Sequence, residues 1–337
     1  MDDYPKKLTA KNLAPFGILA AAILVITVLA ALLLYFFAFA APEKRGEPER
    51  FVIPLTMDTT DAVAQLKDEG FIKNQSAFLF ALKWKKGEKR IEAGGYKISK
   101  SMNVWGVAEV FSQKPYMEWV VIPEGLRKEE IAEILQSKLD WPSEETEKWI
   151  TTYTPTKYEY TEGVYFPDTY LIPRDEAPRD TAKRFQTKFE EKFAPYAKEA
   201  LKQNIRWYTL LRIASIVQRE AAGTSDMPLI AGILWSRLLT GMKLEVDATI
   251  QYVRGNTKDG WWAPIRPEDK EIDSPYNTYK YKGLPPHPIS NPGLDAVKAV
   301  LFPEKTECFY YLHDNSQKIH CAQTFEEHQK NIEMYLR

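Results

Sequence analysis

Residues Phe16 to Ala41, FGILAAAILVITVLAALLLYFFAFAA, carry no charge. As a helix this run is about 39 Å long, enough to cross a hydrocarbon core of about 30 Å with some tilt. Lys6, Lys7 and Lys11 precede it, and Glu43, Lys44, Arg45, Glu47, Glu49 and Arg50 follow it. Counting Lys and Arg alone, the flanks tie at three each, so the positive-inside rule does not orient the segment. The short N-terminal tail favours an uncleaved signal anchor with the bulk of the chain outside the cytoplasm. A cleaved signal ending at AFAAP and a cytoplasmic catalytic domain are the alternatives, and the run is long for a signal peptide.

The remaining residues of the 337 leave room for two or three domains. An apolar content of 45% against 27% charged residues describes a folded chain. A formal net charge of −1 argues against nucleic acid as a partner, because counterion release needs a basic surplus. Nine Trp and eighteen Tyr suit stacking on sugar rings, and suit large cores equally.

A polar linker, 42–50, follows the anchor. FVIPLTMDTTDAVAQLKDEGF then reads as strand, loop and amphipathic helix stopped by Gly70, with Val63, Leu66 and Phe71 in the core. WVVIPEGLRKEEIAEILQSKL repeats that pattern about seventy residues later, a weak internal repeat. Two small α/β modules, 51–117 and 118–158, are expected, either binding a polymer along a groove or spacing the next domain from the membrane. From residue 159 to 337 helices dominate: 177–202, 207–222 and the apolar DMPLIAGILWSRLLTGM, with a C-terminal hairpin and a last helix, 325–336. The fold class is α+β, with minor antiparallel strands.

One residue in IASIVQREAAGTSD is out of place. Leu210, Ile213, Ala214 and Val217 follow one helix face, and Glu220 continues it. A carboxylic acid on an apolar helix face is desolvated, so its pKa rises and it becomes usable as a general acid. Accidental placement near a helix end is the bland alternative. Glycosidic bonds are those whose leaving oxygen needs such an acid. SPYNTYKYKGLPPHPISNPG is a long patternless loop of a kind that is usually functional, and it offers Tyr276, Asn277, Thr278 and Tyr279. Glu162, Glu245, Asp247 and Asp273 are further acidic candidates, and spacing selects none of them as a second carboxylate. There is no phosphate loop, no H-E-x-x-H and no G-x-S-x-G. His287 and His328 form no recognisable triad.

Cys308 and Cys321 flank FYYLHDNSQKIH, which reads as a hairpin. A two-residue loop at Asp314-Asn315 sets the cysteines opposite each other, and a loop over 314–317 does not, so a disulfide stays open. His313 and His320 lie between them without standard zinc spacing.

VIPEGLRKEEIAEIL, EGVYFPDTYLIP, ASIVQREA, LEVDATIQY, SPYNTYKYKGLPPHPISNPGLDAVKAV and FYYLHD…HCAQTFEEH occur together and in this order. Over residues 50 to 335 the chain thereby resembles the endolytic murein transglycosylases, the MltG or YceG-like family. The resemblance implies a membrane-anchored enzyme that cleaves peptidoglycan glycan strands internally, with LysM-like N-terminal modules and a catalytic domain over 159–337. It places the catalytic Glu on the ASIV helix, here Glu220. Many relatives also have Glu at the position of Gln218; this chain does not, which leaves Glu220 as the sole carboxylate of IVQREA. Glu162, Asp247, Thr249, Tyr276, Asn277 and Tyr279 match family motifs and are expected to position substrate, or alternatively to satisfy backbone polar groups.

The reaction implied needs one carboxylate. It protonates the oxygen between N-acetylmuramic acid and N-acetylglucosamine, then as a base assists the muramyl C6 hydroxyl onto C1, leaving a 1,6-anhydro end. No cofactor or metal is expected. The expected partners are glycan strands, the lipid bilayer through residues 16–41 and peptidoglycan synthases, at the cell inner (plasma) membrane with an extracytoplasmic catalytic domain. A glycan hydrolase with a second carboxylate and a non-catalytic scaffold are the alternatives. Departures from the pattern are Cys321 in CAQTF and the insertion bearing Trp261 and Trp262, which extends a sugar subsite or caps the fold.

Overall fold

The computed structural model describes residues 10–86, 90–154 and 162–336. Lys6, Lys7 and the expected boundary at 158/159 lie outside the described residues. The chain divides into two compact units, with the break between Trp119 and Val120.

Helix α1 (Ala10–Ala38) contains the apolar span Leu19–Ala38, which is long and apolar enough to cross a membrane and has no part buried in protein. It stops short of Ala41. The Phe39 and Ala40 amides both turn back to the Tyr35 carbonyl, at 2.8 and 3.1 Å, and Pro42 cannot continue a helix. The next residues run along the first unit: Val104 N–H donates to Phe39 O at 3.0 Å, Glu43 N–H to Lys100 O at 3.0 Å, and Ser99 Oγ to Gly46 O at 2.7 Å.

The first unit continues with β1 (Glu49–Ile53), α2 (Thr59–Asp68), α3 (Gln75–Lys86), β2 (Gly94–Ile98) and α4 (Val104–Ser112), and the break falls inside β3 (Met117–Val121). Asp58 caps α2 by accepting from Asp61 N–H at 2.9 Å, and Asn103 caps α4 through Gly106 N–H at 2.8 Å. β1 and β2 pair antiparallel in the register Phe51↔Tyr96, and β3 meets β2 at Gly95↔Met117. Alternation sends Phe51 and Ile53 inward, where Phe71, Phe78 and Phe111 close an aromatic core. Gly94 is required there: at φ +155, a Cβ would sit 2.6 Å from the Met117 carbonyl oxygen.

The second unit holds α5 (Lys128–Leu139), α6 (Ser143–Lys148) running into a π-turn at Trp149–Tyr153, β4 (Thr169–Pro173), α7 (Pro178–Lys202), α8 (Trp207–Glu220), α9 (Met227–Leu239), α10 (Asp247–Arg254), a 3-10 turn at Pro267–Glu271, α11 (Leu294–Leu301), the antiparallel pair β5 (Tyr310–His313) and β6 (Ile319–Ala322), and α12 (Phe325–Tyr335). Ile131, Leu135 and Trp149 share one core with Phe185, Leu210, Ile230 and Val297, so residues 120–154 pack as part of this unit. Helices with antiparallel strands make the architecture mixed, as the α+β reading expects.

Helix α8 is the centre of this unit. Its Leu210, Ile213, Ala214 and Val217 are fully buried, each contributing up to about 1.5–3 kcal/mol for the larger side chains. Ser215 on its other side ties down the long loop: its Oγ accepts from Ile289 N–H at 3.1 Å and its carbonyl from Ser290 Oγ at 3.1 Å. The helix ends at Glu220, because Ala221 is extended and Asp226 accepts from the Ala222 and Gly223 amides at 3.0 and 3.2 Å.

Candidate active site

Glu220 is half-buried at the C-terminal end of α8 and lines a cavity of about 350 Å³ together with Arg237, Glu245, Asp247, Tyr279 and Tyr311. The Tyr311 hydroxyl, from β5, donates to Glu220 Oε2 at 2.7 Å. Asp247 opens α10, and its Oδ1 accepts from the Tyr279 hydroxyl at 2.5 Å.

Long-range bonds hold these groups in place. Arg237, in α9, donates through Nε to Phe309 O at 2.6 Å and through Nη1 to Leu244 O at 2.5 Å, so one side chain ties the start of the hairpin to the approach of α10. Glu245 has the left-handed φ of 51°. The following Val246 N–H donates to Thr278 Oγ1 at 3.0 Å, and Lys243 Nζ to Tyr279 O at 2.8 Å, which sets the loop's Tyr279 beside Asp247.

Loss of water around the Glu220 carboxyl is the main cause holding its pKa above the ordinary carboxylate value, and the negative charge of Asp247 adds to it. The Tyr311 hydroxyl, the Ala248 N–H and His313 act in the opposite direction, and the upward shift prevails. Tyr311 is held well above the usual phenol range by burial and by Glu220. Tyr279 is raised by burial and by its bond to Asp247. Both phenols therefore remain donors at neutral pH. Behind Tyr311, His313 Nε2 meets Asp226 Oδ2 at 2.6 Å.

His328, also singled out from sequence, lines the same cavity, whereas several of the other candidates sit elsewhere. Glu162 is completely buried, accepting from Lys128 N–H at 2.9 Å and Asn291 Nδ2 at 3.0 Å, and burial raises its pKa well above normal. Thr249 is buried, with its Oγ1 donating to Val246 O at 2.7 Å and lying 2.9 Å from Thr278 Oγ1. Asn277 donates to Lys270 O and Ile272 O and accepts from Tyr279 N–H and Lys280 N–H, so its amide shapes the loop. Tyr276 packs on Tyr252 with ring centroids 5.1 Å apart. Thus Glu220, Asp247 and Tyr279 share the cavity, while Glu162, Thr249, Tyr276 and Asn277 do not line it. Of the other acidic candidates, Glu245 lines it and Asp273 accepts from Tyr281 Oη at 2.7 Å at the surface. Gln218 accepts from Gly293 N–H at 2.9 Å and bonds the Glu124 side chain.

Tyr311, Arg237 and Tyr310 line the site but were not singled out from sequence, although the FYYLHD segment was. The hairpin register places Tyr311. Tyr311 pairs with Cys321 and His313 with Ile319, around a loop closed by Asp314 N–H to Lys318 O at 3.0 Å. Neither loop length considered from sequence is formed, because Asp314 Oδ1 accepts from Ser316 and Lys318 amides and Gln317 adopts φ 64°. Cys308 and Cys321 nevertheless form a disulfide, with Cα atoms 5.8 Å apart. His320 faces Asp314 at 2.8 Å, and among the described residues no group of three or more His, Cys, Asp and Glu is placed to hold a metal ion. Trp262 donates to Glu130 Oε2 at 2.9 Å under the Arg219 guanidinium, and Trp261 lies 4.6 Å from that of Arg127, so the pair covers two arginines.

A model of the YceG-like family matches residues 51–334. The chain belongs to the YceG-like family. The match runs from β1 into α12 and so includes both units of this YceG-like protein. Over 306 residues it is 28% identical to an endolytic murein transglycosylase of Bacillus subtilis, covering 84% of each chain. It is also 28% identical over 316 residues to an endolytic murein transglycosylase of Streptococcus pneumoniae, covering 83% of this chain and 57% of that longer one. A crystal structure of a YceG-like protein from Listeria monocytogenes superposes with a TM-score of 0.53 at 30% identity, covering 85% of this chain and 99% of the other.

Proposed function

We propose that this YceG-like protein is a membrane-anchored lytic transglycosylase that cleaves peptidoglycan inside its glycan strands, with Glu220 as both acid and base. The observation that carries the reading is a carboxyl with a raised pKa, held by Tyr311 at a cavity. A raised pKa moves the protonated, proton-donating form toward higher pH. Glu220 gives that proton to the glycosidic oxygen between N-acetylmuramic acid and N-acetylglucosamine as the bond to muramyl C1 breaks. The Asp247 carboxylate favours the positive charge that develops on the ring. Glu220 then takes the proton of the muramyl C6 hydroxyl as O6 closes on C1. The proton balance returns to the start, no water is consumed, and the products are a 1,6-anhydromuramyl end and a free C4 hydroxyl. Asp247 and Tyr279 position the substrate on this reading, whereas the hydrogen bonds that Glu162, Thr249 and Asn277 make within the protein favour a supporting role for them.

α1 supplies the anchor, and the Cys308–Cys321 disulfide favours an oxidising, extracytoplasmic setting for the second unit. The order β1-α2-α3-β2 supports a LysM-like, glycan-binding first unit. The family resemblance favours work beside peptidoglycan synthases.

A hydrolase is the second reading, favoured by the presence of Glu245 and Asp247 in the same cavity. Mass spectrometry of digested glycan strands separates the two. Anhydro ends support the transglycosylase, and reducing ends sink it. Binding without cleavage by the wild type leaves a scaffold.

A further inference from the structure

Helix α3 buries Ala77, Phe78, Ala81 and Leu82 in the first unit's core. Its outer side, which an amphipathic helix normally fills with polar residues, carries Leu79, Phe80 and Trp84. Phe80 is 55% and Trp84 75% exposed. Their rings lie 6.4 Å apart, one helical turn along α3. Phe80 also meets Phe39 at 6.4 Å and Trp105 at 6.1 Å, and Phe39 stacks on Trp105 at 5.8 Å. Phe39 directly follows the last residue of α1. The exposed aromatic patch is therefore continuous with the end of the apolar span.

That continuity indicates what covers it. The span Leu19–Ala38 has 20 residues, about 30 Å of helix, so a hydrocarbon core containing it ends near Ala38. The headgroup layer extends about 5–7 Å further, the level at which Phe39 and its neighbours stand. The bonds from Val104 to Phe39 and from Glu43 to Lys100 hold the unit against this end of the helix. Lys73 Nζ donates to Phe36 O at 3.3 Å and lies 4.8 Å over the Phe36 ring, a cation at the helix C-terminus where the dipole and the interface both favour it.

We propose that Phe80 and Trp84, with Leu79, lie in the headgroup interface of the bilayer that α1 crosses, so that the first unit rests on the membrane surface. The proposal depends on the anchored reading of α1 given above. Trp suits this layer because its ring partitions among acyl chains while the indole N–H reaches headgroups. Resting there fixes the orientation of the first unit relative to the bilayer.

The test uses the full chain in vesicles of phosphatidylcholine and phosphatidylglycerol, with the phosphatidylcholine acyl chains brominated near the headgroup in a parallel set. Emission is compared between the wild type and Trp84→Phe, a substitution that keeps the site apolar. Brominated lipid is expected to quench the wild type more than the variant, and the Trp84 difference emission to be blue-shifted and shielded from iodide. Equal lipid quenching of the two proteins, with that emission open to iodide, overturns the proposal. Shielding from iodide without lipid quenching means that protein covers the patch, a second copy for example, and overturns it too. Alkaline carbonate extraction tests α1 separately. Release of the protein sinks the anchored reading, whereas retention without lipid quenching of Trp84 sinks the docking alone.

Discussion

The Tyr311 hydroxyl reaches Glu220 Oε2 at 2.7 Å across a sequence separation of 91 residues. The bond does two things to the acid: it orients the carboxyl, and it favours the ionised form against the burial that opposes it. Tyr311→Phe is therefore expected to raise the Glu220 pKa further. On the proposed mechanism cleavage needs the protonated Glu220, so the alkaline limb of the kcat/KM profile should move to higher pH. Loss of orientation should lower kcat by about tenfold. An unmoved alkaline limb would show that the bond does not act on the acid.

Glu220→Gln is expected to lower cleavage by at least about 10²–10⁴-fold while leaving the fold intact, since the amide oxygen can still accept from Tyr311. The same variant tests the electrostatics. The folded protein holds the Glu220 proton at pH values where an unfolded chain, with pKa about 4.3, has released it. The group's contribution to stability thus falls as pH rises from there through the folded value. A permanently neutral Gln avoids that loss, so the variant should melt above wild type at pH 7 and the gap should close near pH 4. A gap that widens toward pH 4 contradicts the raised pKa.

Glu162 separates support from substrate binding. Glu162→Ala leaves the Lys128 N–H without its acceptor in a closed interior and removes one of the two acceptors of Asn291 Nδ2, which keeps Leu126 O at 3.0 Å. An orphaned donor costs about 1–3 kcal/mol, so thermal melts should show a clear loss of stability with KM little changed. A raised KM at an unchanged melting temperature would instead mean that Glu162 contacts the glycan.

The disulfide closes a loop of sequence separation 13 and clamps the hairpin that presents Tyr311. The double change Cys308→Ser and Cys321→Ser should cost about 3 kcal/mol of stability. It should also lower activity, and adding Tyr311→Phe to it should lower activity less than the two effects multiplied, because both act through one bond. Full multiplication would separate the disulfide from the acid.

Much of the site's local material was legible in the chain. The spacing of Leu210, Ile213, Ala214 and Val217 determined a buried helix face with Glu220 in line, because side-chain direction in a helix repeats with a short period. The uncharged run from Phe16 to Ala41, the long Tyr/Asn/Pro loop and the order of the motifs were equally local. Tertiary structure decided which polar groups remain available. Asn277, Thr249 and Glu162 read from sequence either as sugar ligands or as partners of backbone groups, and in the structure backbone amides, carbonyls and a neighbouring Asn bond to them. It also decided that Tyr311 is the partner of Glu220. That choice depended on a hairpin register set by Asp314 and on Arg237 joining Phe309 O to Leu244 O, contacts between segments far apart in sequence. A residue's type and period are properties of its own segment, while the satisfaction of a hydrogen bond belongs to two segments at once, and folding alone brings the second one into place.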